Sequence, residues 1–277
     1  MIIKKIFNNN AILAKSLDKH EFVVMGSGIG FKKSIGEKVD ESLIEKTFIL
    51  KQKDASEKFK LLLEDIPSEY VSLCYDIIEY AKNILGVELS DYIYVTLTDH
   101  ISYALKLFDE GLNRPNPLIW EIKKFYTKEY EIGLKALEFI EDETGKKLPE
   151  DEACNIALHL INAQVNNAGG KVEDVAKQTK MIRDILNIVK YTYNIPLDEK
   201  SLNYERFVTH LRFFFQRLSK NQEVEAEAED DFLLKQVKAK YKKAYDCMLK
   251  IEAYLEKELS DEEKLYLTIH IQRVTQR

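Results

Sequence analysis

Four of the five histidines in this 277-residue chain, His100, His159, His210 and His270, stand at duplicated positions. "LTDHISYAL" (97–105) aligns with "FVTHLRFFF" (207–215), and "LPEDEACNIALHLINA" (148–163) with "LSDEEKLYLTIHIQRV" (259–274). Each copy therefore carries two imidazoles, 59 and 60 residues apart. A single histidine in "ALHL" or "TIHI" reads most simply as a core side chain, but packing alone rarely needs one residue type to recur in paired register. Zinc binding falls short, because two ligands per copy without a matched cysteine do not close a structural site. Acid–base catalysis would need carboxylates repeated in both copies, and Asp99 beside His100 is replaced by Thr209 beside His210. Reversible phosphorylation needs only a reachable, uncharged ring, which an imidazole with pKa about 6.5 supplies near neutral pH. The added phosphoryl group brings about −1.5 to −2 charges. Arg206 and Arg212 lie within four positions of His210, and Arg273 follows His270 by three, whereas Lys106 is six from His100 and no base lies near His159. The two copies are expected to respond differently to one modification.

A second stretch, "VVMGSGIGFKK" (23–33), raises the question of a phosphate-binding loop. Such loops deliver their glycines directly into a helix N-terminus. Here Gly30 precedes "FKKSIGEKV", which has no helical periodicity, and no Lys-Ser/Thr pair closes the run. The glycines instead suit a tight strand connection with positive-φ positions, where a missing side chain lets another backbone approach. Phe31 offers a ring, Lys32, Lys33 and Lys5 offer charge, and Asn8–Asn10 offer amides for base edges. That set suits RNA with unpaired bases, through stacking and a salt-sensitive phosphate term.

The elements that must position these groups differ along the chain. "IIKKIF", "AILAKSL", "EFVVMG" and "EKTFIL" predict four strands of an antiparallel meander within residues 1–50. A sheet of fifty residues leaves an apolar face to cover, so pairing with a second copy is expected. Beyond "KQKDAS", apolar residues recur at i, i+3, i+4 and i+7 in "SEKFKLLLEDI", "YVSLCYDIIEYAKNIL", "IGLKALEFIEDE" and "DEACNIALHLINAQ", which predicts helices. "CYDIIEYAKNILGVEL" (74–89) matches "IRDILNIVKYTYNIPL" (182–197), and the offset drifts only from 108 to 111 across the three matched pairs. The helical part is thus a tandem repeat, with its boundary expected at "NNAGG" (166–170). The acidic run "NQEVEAEAEDD" (221–231) reads as a mobile loop.

Composition is consistent with this plan. A hydrophobic content of 45% excludes a disordered chain. Residues 1–50 hold eight lysines against six acidic residues, and the remainder 33 basic against 41 acidic residues, so a mildly basic module precedes an acidic one. Cys74, Cys154 and Cys247 are odd in number and sit in apolar helical patterns, which points to buried thiols in a reducing compartment. The start "MIIKKIFNNN" lacks the apolar core of a signal peptide, and no run approaches a membrane span, so a cytoplasmic location without membrane insertion is expected.

"NNNAILA", "VVMGSGIGFKK", and the paired "TDH"/"ALH" and "VTH"/"TIH" resemble the BglG/SacY/LicT family of transcriptional antiterminators over the whole chain, and "KDASEKFKLLLEDIP" is similar to LicT-type members. The resemblance implies a dimeric co-antiterminator RNA-binding (CAT) domain at 1–55, a linker at 56–64, and two all-α phosphotransferase-system regulation domains (PRDs) at 65–170 and 171–277. It implies no cofactor and no enzymatic activity. Its RNA-contacting positions fall on Lys5, Asn10, Gly26, Ser27, Gly28 and Phe31, with Asn8 nearby; Ser27 replaces an arginine common in the family. It further implies that the dimer binds an mRNA hairpin and prevents a terminator upstream of sugar-utilisation genes. In this scheme the sugar-specific permease phosphorylates His100 and His159 to inhibit, and the phosphocarrier HPr phosphorylates His210 and His270 to activate. A DNA-binding activator with PRDs is the alternative, and it would require a helix-turn-helix where this chain is strand-like.

Overall fold

The computed structural model describes residues 1–16, 20–49, 53–112, 115–165, 172–219 and 228–276. Its chain divides into two compact units, residues 1–175 and 176–277.

The first unit begins with the expected meander: β1 (Ile2–Asn8), β2 (Ala11–Lys15), β3 (Glu21–Met25) and β4 (Lys46–Phe48), antiparallel in the order β1-β2-β3-β4. Leu17 and Leu50, expected at strand ends, lie outside the described residues. Strict alternation sends Ala11, Leu13, Val23 and Met25 to one face and Ile12, Ala14 and Val24 to the other, and all seven are buried. Two covers account for this. Residues 26–45 do not make the tight strand connection expected of the glycines; they run across the second face and insert Ile29 and Val39 against Ile3, Ile12 and Val24. The first face lies under helices of the same chain, with Phe48 against Phe59 (centroids 5.0 Å), Tyr75 (5.0 Å) and Tyr94 (5.5 Å). Burial of the sheet therefore does not require a second copy.

Those helices are α1 (Lys53–Asp65), α2 (Ser68–Leu85) and α3 (Tyr92–Asp109), followed in the first unit by α4 (Ile119–Phe125), α5 (Thr127–Thr144) and α6 (Asp151–Val165). Residues 56–64, expected as a linker, lie within α1, whose Ala55, Phe59 and Leu63 are buried at helical spacing. Pro67 stands between α1 and α2 and ends the first helix, as its missing N–H and the restricted residue before it require.

The repeat is visible in the order of elements. After α2–α6 come α7 (Val172–Tyr193), α8 (Leu202–Ser219), α9 (Ala228–Lys240), α10 (Lys242–Leu255) and α11 (Asp261–Thr275). In the second unit α11 packs against α8, α9 and α10 around Phe207, Phe214, Met248 and Ile271. Of the acidic run, residues 228–231 begin α9 and are helix rather than loop; 221–227 and the boundary residues 166–170 lie outside the described residues. Cys74, Cys154 and Cys247 are free and buried.

Candidate RNA interface and histidine sites

One end of the sheet collects most of the RNA-contact expectations. The β1–β2 turn and the glycine loop are laced together: Gly26 N donates to Asn10 O (3.0 Å), Gly28 N to Asn10 Oδ1 (2.9 Å), and Gly30 N to Asn9 O (2.9 Å). Asn8 Oδ1 accepts from Asn10 N at 2.9 Å. Ser27 is exposed, its N–H donating to Glu45 Oε1 at 3.0 Å, and Phe31 is 54% exposed with Lys32 Nζ 5.2 Å from its ring centroid. Asn8, Asn10, Gly26, Ser27, Gly28 and Phe31 thus share one edge, while Lys5 stands farther along β1 and pairs with Glu64. Gly26 itself is buried against a neighbouring backbone, so its lack of a side chain already serves the fold.

The two histidines of each copy meet. His100 on α3 and His159 on α6 have ring centroids 4.8 Å apart; His210 on α8 and His270 on α11 are 4.7 Å apart and stacked. Sequence reasoning missed the carboxylate beside each pair. Glu152 and Glu263 occupy the first turn of α6 and α11, each seven residues before the second histidine and at matched repeat positions. An i, i+7 spacing puts them on the histidine face, and this signal was available in the aligned copies.

The copies use that carboxylate differently. In the first, Glu152 Oε2 accepts from His100 Nε2–H at 2.9 Å and from Asn155 Nδ2 at 3.1 Å. Burial alone would raise the Glu152 carboxyl, but the His100 contact outweighs it and holds the group below its ordinary value. An ionised carboxylate only accepts, so His100 presents an Nε2–H to it. In the second copy Arg217 donates to Glu263 Oε1 from Nε (3.1 Å) and Nη2 (2.6 Å). Here His210 Nε2 stands 3.7 Å from Glu263 Oε2, and both atoms are buried without a partner. That distance does not make an ion pair, because burial, then His270 and Arg217, push His210 down to about 3, while burial raises Glu263 against the opposing Arg217. The first copy has Leu107 at the place of Arg217. Arg206 and Arg273 lie near enough to His270 to add to the effect of burial in lowering its pKa, and His159 is lowered well below its ordinary value by burial and then His100. The side chains of His100 and His210 keep 20% and 13% of their surface, so neither ring is sealed.

These depressed imidazoles make stability depend on pH. Below about pH 6.5 the unfolded chain takes up protons on His159, His210 and His270 that the folded chain refuses, so stability is complete above that pH and falls as pH drops towards the folded values. The slope is at most ~1.4 kcal/mol per pH unit for each such histidine, and raised Glu263 opposes it by at most one group's worth above pH ~4.5. The full chain is predicted to melt several degrees lower at pH 5.5 than at pH 7.5, and His210→Gln to flatten the difference. Equal melting temperatures would contradict the neutral burial of these rings.

Among known proteins, the family model of the CAT RNA binding domain matches residues 1–57, and that of the PRD domain matches 75–163 and 183–274. The transcription antiterminator LicT of Bacillus subtilis (strain 168) is 49% identical over 99% of both chains. The chain belongs to the BglG/SacY/LicT family of transcriptional antiterminators. A β-glucoside operon antiterminator of Dickeya chrysanthemi is 43% identical over 99% of this chain and 96% of its own. The crystal structure of GlcT CAT-PRDI is similar with a TM-score of 0.53 at 34% identity, covering 60% of this chain and 98% of that one. This antiterminator therefore carries a CAT RNA-binding domain followed by two PRDs. The DNA-binding alternative falls, since its helix-turn-helix position holds the β1–β4 sheet and matches an RNA-binding domain. Its relatives are named as regulators of transcription, not as enzymes. Among the described residues no helix is long and apolar enough to cross a membrane.

Proposed function

We propose that this antiterminator acts in the cytoplasm as a homodimer that binds an mRNA hairpin through Lys5, Asn8, Asn10, Gly26, Ser27, Gly28 and Phe31. Binding prevents a terminator hairpin upstream of sugar-utilisation genes, of which β-glucoside genes fit the relatives. The observation that carries this reading is the CAT–PRD–PRD order along a chain matched end to end by LicT.

Regulation runs through phosphoryl transfer to imidazole. The lone pair of the acceptor nitrogen forms the new N–P bond as the donor's bond to phosphorus breaks, and the acceptor keeps its other N–H. The sugar-specific permease modifies His100 and His159; HPr modifies His210 and His270. Opposite signs follow from the surroundings. Phosphate beside Glu152 meets like charge, whereas in the second PRD Arg217 is paired with the matching Glu263, and Arg206 and Arg273 lie near His270. Ser27 lacks a guanidinium for stacking or bidentate pairing, which shifts specificity towards the exposed Phe31.

Titration of the full chain with a partly mismatched RNA hairpin tests the reading. Phe31→Ala is predicted to weaken binding by ~1–3 kcal/mol, the cost of one lost stack, and equal affinity would reject the assigned edge. Peptide mapping after incubation with HPr, or with the permease component, should place phosphate on the second and first PRD respectively.

A further inference from the structure

The edge assigned to RNA is already occupied by the chain itself. Lys5 pairs with Glu64 near the end of α1. Asn10 Nδ2 donates to Ser68 Oγ at 3.1 Å, at the first residue of α2, and Asn8 Nδ2 points to Leu63 O at 3.5 Å. These three partners all come from six residues around Pro67, where the chain breaks between two helices. Glu64 offers the lysine a negative charge where a phosphate would sit, and Ser68 offers the asparagine amide an acceptor where a base edge or 2′-hydroxyl would sit. A second clamp holds the sheet in place without using any candidate RNA contact: Lys46 Nζ reaches Ser72 O (2.8 Å), Ser72 Oγ (2.7 Å) and Asp76 Oδ2 (2.7 Å) on α2.

We propose that the α1–α2 junction, Leu63–Ser68, is an interaction surface whose partner is this chain's own RNA-binding edge, so that junction and RNA exclude one another at Lys5 and Asn10. The inference rests on the assignment of those two residues to RNA. Ser27 and Phe31 stay exposed in the closed arrangement, so RNA can begin to engage before the junction lets go. The apparent RNA affinity of the full chain is then its intrinsic affinity reduced by the fraction of molecules in which the junction is released.

The test compares full-length variants by titration with the same mismatched hairpin at fixed salt. Glu64→Gln combined with Ser68→Ala removes both mimics and touches no candidate RNA contact; it is expected to tighten binding about tenfold. Asp65→Asn makes the same change of charge one residue away and is expected to alter affinity by about twofold or less. Equal tightening by both variants, or none by the double variant, would overturn the proposal. Independently, RNA added to the unaltered chain should speed amide hydrogen exchange across residues 63–72, and slower or unchanged exchange there would also overturn it. If neither the unaltered chain nor any variant binds the hairpin, the assignment of this edge to RNA fails and the inference falls with it.

Discussion

Gly26→Ala is expected to unfold the N-terminal sheet within the otherwise folded chain. A Cβ built on Gly26 would lie 1.7 Å from Leu43 O and 2.9 Å from Leu43 C, both backbone atoms that no rotamer change can move. The strand end is held from the other side as well, since Gly26 N donates to Asn10 O and Glu45 N to Met25 O. Relief of the clash requires breaking one of these bonds or displacing the segment from Leu43 to Glu45, which costs at least ~3 kcal/mol. A module of about fifty residues has little stability to lose. Gly28→Ala is the instructive comparison. Gly28 has φ +70° but open space around it, so the added methyl costs only the left-handed backbone penalty of ~1–2 kcal/mol. Hydrogen exchange of amides in β2 and β3 measures both: protection is predicted to vanish in the first variant and to fall modestly in the second. Undiminished protection in Gly26→Ala would show that the close approach to Leu43 is absent in solution.

Phe59→Ala should lower the stability of the first unit by about 3–5 kcal/mol, because truncating a fully buried ring loses both its transfer free energy and the contacts around the cavity it leaves. Phe59 has no exposed surface and joins sheet to helices, with Phe48 of β4 on one side (5.0 Å) and Tyr94 of α3 on the other (6.3 Å). Leu61 lies two residues away on the same helix and is 64% exposed, so Leu61→Ala is expected to change stability by less than ~0.5 kcal/mol. Urea unfolding followed by circular dichroism gives the comparison directly. Coincident midpoints for the two variants would mean that α1 does not pack on the sheet.

Much of this architecture was legible from local pattern. The strands around "AILAK" and "EFVVM" follow from β-branched and aromatic runs, and helix in "SEKFKLLLEDI" (56–66) from its apolar spacing, although the helix begins at Lys53, within the stretch before that pattern, and takes up the residues expected as a linker. Less legible was the segment 26–45. Its glycines looked like a hairpin, but Ile29 and Val39 have no neighbours of fixed period, and only the unfilled face of the sheet explains where they go. Within the histidine sites, the repeat revealed the paired rings, while the carboxylates of Glu152 and Glu263 were hidden among many acidic residues at helix starts.

By itself the sequence determined the duplicated histidines, the order of sheet and helices, and the residue types available to RNA, because backbone hydrogen-bond geometry imposes periods of 2 and 3.6 that any stretch of chain displays. The tertiary structure alone decided which groups answer them. Glu64 and Ser68 reach Lys5 and Asn10 from 59 and 58 residues away, and Arg217 rather than imidazole claims the carboxylate of the second PRD. Contacts of that kind depend on which apolar faces meet when distant segments bury their surface together, and no local spacing records that choice.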